Sequence, residues 1–76
     1  MTPYKNLGGD SGVEAFDITE ASIHVRFRAG SQRNYLYDST RPGIVVINEM
    51  KRLALQGRGL NSFISSTVKG NFSKKW

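Results

Sequence analysis

The sequence predicts an α+β fold, a three-stranded antiparallel β-meander followed by two α-helices packed on one face of the sheet. Three observations carry this prediction. Apolar and polar residues alternate with a period of two through Phe16, Ile18, Ile23, Val25 and Phe27. Beyond Ile44 the apolar spacing changes to the 3.6-residue repeat of a helix. Strand-like segments all precede helix-like ones, a grouping that favours α+β over a parallel βαβ sheet.

The first strand is expected to begin near Val13, where Phe16 and Ile18 flank Asp17, and to end at a Thr19-Glu20 turn. From Ala21 the alternation is cleaner. Ile23, Val25 and Phe27 point to one side, and His24, Arg26 and Arg28 to the other. Ala29-Gly30-Ser31 supplies the glycine of a hairpin turn, and Arg33-Asn34-Tyr35-Leu36-Tyr37 forms the returning strand. Asp38-Ser39-Thr40 followed by Pro42 reads as a capped helix start. In that helix Ile44, Ile47, Met50, Leu53, Ala54 and Gly57 share one side, while Asn48, Glu49, Lys51, Arg52 and Gln56 lie mostly opposite. Gly57-Arg58-Gly59 breaks it, and Leu60, Phe63, Ile64 and Val68 define a second, shorter amphipathic helix ending near Gly70. The apolar stripes of both helices are expected to meet the Ile23/Val25/Phe27 face.

The expected organisation is a flexible N-terminal arm over 1–11, one α+β domain over 12–72 and a frayed basic tail over 73–76. A chain of 76 residues has room for one thin core, since a domain of this size buries only about 60% of its unfolded surface. The absence of cysteine excludes a disulfide framework, a Cys-based zinc site and a thiol nucleophile. No apolar stretch resembles a signal peptide or approaches the roughly 20 residues of a membrane span. The expectation is a monomeric cytoplasmic protein without membrane association.

The net charge of +5 is unevenly distributed. Residues 1–25 hold four carboxylates against Lys5 alone, a balance of −3, whereas residues 26–76 hold ten basic residues against Asp38 and Glu49, a balance of +8. A basic surface of this kind suits RNA or another polyanion, and it also serves simply to keep a small protein soluble.

Candidate chemistry follows from that surface. Arg26, Arg28, Lys51, Arg52, Arg58 and Lys69 are candidate phosphate contacts, with Arg33 beside Tyr35 and Tyr37 on one side of the returning strand. The two tyrosines admit two accounts. An odd number of loop residues turns them inward with Phe27, while an even number turns them outward beside His24 and Arg26. Outward, they form a stacking platform for unpaired bases; inward, they are core, the preferred account because a thin core needs large rings. Gly57-Arg58-Gly59 lets a ligand approach the backbone, or serves as an interhelical turn, and it lacks the Lys-Ser/Thr ending of a Walker loop. Lys74, Lys75 and Trp76 either extend a nucleic-acid contact or form an ordinary disordered end.

Enzymatic readings find little support. Gly9-Asp10-Ser11-Gly12 superficially matches a protease nucleophile loop, but the orienting acid, base and oxyanion hole need a much larger scaffold. His24 is the single histidine, too few for a His-based metal cluster, and is expected to face solvent. Asp17 and Glu20 lie near a turn with nothing to mark them as an acid/base pair. No catalytic residue, metal site or cofactor is expected.

Ile23-x-Val25-x-Phe27, Gly30, Tyr35-x-Tyr37, a helix and then Gly59-Leu60-Asn61-x-x-Ile64, taken in order, resemble the KTSC domain, a family named for its occurrence at the C-terminus of some lysyl-tRNA synthetases. The resemblance spans about residues 12–72. The interval from Gly30 to Tyr35 is longer than the family's, and Gln56 stands in place of a small residue. The resemblance implies no established activity and no catalytic residue, while RNA binding is the family's suggested role. The expectation is therefore a non-enzymatic module binding nucleic acid, RNA above all. The alternative is a protein-interaction or adaptor module, with an exposed Leu55 beside Lys51 and Arg58 contributing to the partner site.

Overall fold

A computed structural model of the protein describes residues 1–9 and 11–76. Asp10, shared by the glycine-rich arm and the protease-like tetrad, lies outside the described residues. The sheet has five antiparallel strands whose spatial order is their chain order: β1 (Thr2–Pro3), β2 (Val13–Thr19), β3 (Ser22–Phe27), β4 (Asn34–Asp38) and β5 (Lys74–Lys75). The α+β class stands, but the three-stranded meander is corrected to a five-stranded sheet. The added strands are two-residue edges, too short to leave a periodicity, and their proline and lysines are poor strand signals.

Both edges are tied down by backbone bonds. Thr2 and Pro3 pair with Phe16 and Ala15, and the Tyr4 N–H donates to the Glu14 carbonyl at 3.0 Å. Tyr4 is buried, and its phenol oxygen accepts the Leu60 N–H at 3.3 Å. At the opposite edge, Asn34 and Trp76 exchange both backbone hydrogen bonds, at 3.0 and 2.9 Å. The expected arm and tail therefore each contribute a strand.

A bulge in β2 reconciles its spacing with one buried face. Val13 pairs with Phe27 and Ala15 with Arg26, leaving Glu14 as the extra residue. That insertion lets Val13 and Phe16, three positions apart, both face the core, where strict alternation would set them on opposite sides. In β3, Ile23 and Val25 are fully buried.

The first helix, α1 (Ile44–Gln56), starts two residues later than Pro42 predicts. Asp38 does accept hydrogen bonds from the Thr40 and Arg41 N–H groups, each at 3.0 Å, so it stabilises the turn before the helix. Gly43, at φ 112°, takes the cap position without a capping side chain. Ile47, Met50, Leu53 and Ala54 are buried as the spacing predicts, whereas Ile44 in the first turn stays 45% exposed. Leu60–Phe63 forms α2, which widens at once into a π-helical stretch over Ile64–Val68, in place of the single second helix expected. The apolar face of that stretch survives the widening, since Leu60, Ile64 and Val68 all enter the core. Among the described residues, no helix is long and apolar enough to cross a membrane.

Candidate ligand cavity

The β3–β4 hairpin decides where the tyrosines go. The Phe27 N–H donates to the Arg33 carbonyl at 2.8 Å, so residues 28–32 form the loop, an odd number. Val25 then pairs with Tyr35 and Ile23 with Tyr37, which places both tyrosines on the core side. Tyr37 is 1% exposed. Its face is closed to a base, and the outward stacking platform is excluded for both rings. Burial, with the neighbouring Tyr35 adding to it, pushes the Tyr37 hydroxyl well above the ordinary tyrosine range.

Tyr35 is only half buried and packs against the edge of the core. It packs edge-to-face against Phe27, centroids 5.2 Å apart, and against Phe72 at 5.1 Å, with Tyr37 near-parallel at 6.4 Å. These geometries suit aromatic quadrupoles and rigidify the cluster. Beside it opens a cavity of about 580 Å³. Its apolar wall is Phe27, Tyr35, Tyr37 and Ile64, the hairpin loop from Arg28 to Gln32 lines another side, and Gly12, Ser65, Lys69 and Lys75 complete the lining. Among the described residues, three cations thus reach one concavity and no carboxylate lines it.

The local structure that presents those cations is irregular. Arg28 is anchored by its own N–H to the Gly12 carbonyl at 2.8 Å and by Nε to the Ser11 carbonyl at 3.3 Å. Lys75 Nζ lies 6.0 Å from the Tyr35 ring centroid and 5.5 Å from that of Phe72, within cation–π range. Lys69 ends the π-helical stretch at φ 54°, ψ −129°, a conformation that normally belongs to glycine. Holding a lysine there costs about 1–3 kcal/mol. π-Helical turns and strained residues both concentrate at functional sites, and here they adjoin.

The remaining sequence-derived candidates are not brought to this cavity. Arg26 Nε bonds Glu14 Oε1 at 3.0 Å, and Arg33 approaches the same carboxylate at 3.8 Å. On α1, Arg52 makes a forked contact with Glu49, at 2.9 and 2.6 Å, which lowers the Glu49 carboxyl's proton affinity. Lys51 donates to the Glu20 carbonyl at 2.8 Å. Arg58 belongs to a second cavity of about 280 Å³, shared with Tyr4, Asn61 and Gly59. Gly57 and Gly59, at φ 79° and 86°, form the interhelical turn around it. The expected continuous basic surface is therefore broken into separate groups, and only Arg28, Lys69, Tyr35 and Tyr37 of the expected set share the larger cavity.

Lys75, which lines the cavity and which the sequence offered either as an extension of a nucleic-acid contact or as part of a disordered end, and Phe72, which packs against Tyr35 beside it, lie outside the expected set of site residues. Their signal was faint, a lysine pair between two aromatics at the end of the chain. On the outer face of the sheet His24 is half buried, its Nε2 2.9 Å from Asn34 Oδ1 and its ring 5.0 Å from that of Trp76. Among the described residues, no group of three or more His, Cys, Asp or Glu residues is placed to hold a metal ion. No family model matches the chain, and no curated protein and no solved structure matches it.

Proposed function

We propose that this chain is a small non-enzymatic module that binds nucleic acid, RNA above all, with the aromatic cavity as the centre of its contact surface. The observation that carries the reading is the convergence of Arg28, Lys69 and Lys75 on one concavity with an aromatic wall. Phosphate oxygens favour lysine and arginine, and unpaired bases favour apolar and aromatic walls. Elsewhere on the surface, basic groups lie against Glu14 and Glu49, which weakens their field. The order of motifs that resembles the KTSC domain, whose suggested role is RNA binding, points the same way.

The test is fluorescence anisotropy of labelled single-stranded RNA, hairpin RNA and duplex DNA at two salt concentrations. The comparison variant is Arg28→Ala/Lys69→Ala/Lys75→Ala. Binding that favours single-stranded RNA, weakens with salt and is lost in the variant is the expected result. Equal, feeble binding to all three ligands, unchanged in the variant, sinks the reading. The search then moves to protein partners, beginning with the exposed Leu55 and Val45 on α1.

A further inference from the structure

The distribution of committed and uncommitted cations narrows the ligand. An internal stretch of single strand spreads its charge along its length, one negative charge per nucleotide. A protein that tracks it needs cations along a path. Outside the cavity several of the cations are paired with carboxylates: Arg26 and Arg33 with Glu14, and Arg52 with Glu49. Arg28, Lys69 and Lys75 instead line a single cavity.

We infer that this cavity takes a phosphomonoester carried on a nucleoside, meaning the phosphorylated end of a single strand or a free nucleoside monophosphate. The inference rests on the nucleic-acid reading above and specifies its ligand. A phosphomonoester carries about −1.5 to −2 charge at neutral pH and three terminal oxygens, against a single charge and two such oxygens on an internal phosphodiester. Three cations lining one cavity match the former. The cavity volume of about 580 Å³ falls within the range that holds one small organic molecule. Its apolar wall, formed by Phe27, Tyr35 and Ile64, receives the base while the lysines receive the phosphate. Lys69 enters the cavity lining from a glycine-like backbone conformation, which sets the direction in which its side chain leaves the main chain.

The experiment compares short single-stranded RNAs that differ only at their ends, labelled at the opposite end. One pair carries a 5′-phosphate or a 5′-hydroxyl, and a mirror pair carries a 3′-phosphate or a 3′-hydroxyl. Nucleoside monophosphate, nucleoside and inorganic phosphate serve as competitors. A phosphorylated end is expected to bind about tenfold more tightly than its hydroxyl counterpart, the effect of one added charge-assisted contact. Lys69→Ala and Lys75→Ala should each reduce that preference to within about twofold. Lys69→Gly, which removes the side chain while relaxing the backbone, should do the same and guards against a folding defect.

Competition by the monophosphate but not the nucleoside assigns the site to free nucleotides. An end preference that the monophosphate does not compete away assigns it to strand ends. Equal affinity for phosphorylated and hydroxyl ends overturns the inference and leaves the nucleic-acid reading standing. Competition by inorganic phosphate as strong as by the monophosphate overturns it as a nucleotide site. If no RNA binds but the monophosphate does, the nucleic-acid reading fails and the nucleotide site stands; if neither binds, both fail.

Discussion

Tyr37 illustrates how one ring is fixed by packing alone. It is nearly wholly enclosed among core residues, and among the described residues its hydroxyl has no hydrogen-bonding protein partner, while the ring reaches the cavity wall. Tyr37→Phe is therefore expected to change stability by less than about 1 kcal/mol, and Tyr37→Ala to cost about 3–5 kcal/mol through the void it leaves, both measured by urea unfolding. Burial raises the Tyr37 pKa in the folded state, so the folded protein keeps that proton to higher pH than the unfolded chain. The associated stability is complete below about pH 10 and declines as pH rises beyond it. Thermal melts across pH 9–11 should show the decline in the wild type and a shallower one in Tyr37→Phe. Lys69 is the complementary case, a residue whose backbone opposes its identity. Lys69→Gly is expected to raise the urea midpoint by an amount equivalent to about 1 kcal/mol, offset in part by the entropy of the added glycine.

Among the elements, the corner joining the helices and the closing strand are where substitutions discriminate best. A Cβ built on Gly57 would sit 2.6 Å from Lys5 Cβ, on a residue already at φ 79°, and the Gly57 carbonyl accepts the Leu7 N–H at 2.8 Å. Gly57→Ala is expected to cost about 1–2 kcal/mol from the left-handed backbone alone, with a further loss as the Lys5 segment gives way. Gly70, with nothing within 4 Å of its added Cβ, is the control. Gly70→Ala should stay within about 0.5 kcal/mol of wild type in the same thermal or urea assay. Deleting residues 74–76 removes the β4–β5 backbone bonds and the Trp76 ring beside His24. It is expected to lower Tm by about 5–15 °C, corresponding to about 1–2 kcal/mol in a domain of this size, with the circular-dichroism spectrum of the rest retained.

These elements also show how far the sequence could be read. The clean alternation of Ile23, Val25 and Phe27 and the helical spacing of Ile47, Met50, Leu53 and Ala54 announced the layers, because one buried face imposes a period. The direction of Tyr35 and Tyr37 depended on the parity of the 28–32 loop, which no local propensity sets. The β2 bulge at Glu14 was hidden for the same reason, as a single inserted residue alters no composition. The cavity was half legible. Arg28, Lys69, Tyr35 and Tyr37 were candidates from charge and aromaticity, but the engagement of Arg26 and Arg33 by Glu14 is a contact across strands. Lys75, which the sequence offered either as a nucleic-acid contact or as part of a disordered end, reaches the cavity because its segment pairs with β4.

At the scale of the whole molecule, the net charge of +5 overstates what a ligand meets. If three cations contact phosphate, log Kd for single-stranded RNA should vary with log salt with a slope of magnitude about 2. A slope near twice that would show that Arg26, Arg33 and Arg52 also give up their carboxylates on binding, and a titration from low to moderate salt separates the two.

The two outermost strands have a consequence of a different kind. A sheet that ends in a long, flat, apolar strand offers its unpaired amides to any passing chain and invites fibrous polymerisation. Here each border is only two residues long, one containing Pro3, which has no N–H to offer, and the other made of Lys74 and Lys75, whose like charges repel a second copy brought alongside. The sheet is thus terminated by short edges that disfavour its extension by a second copy.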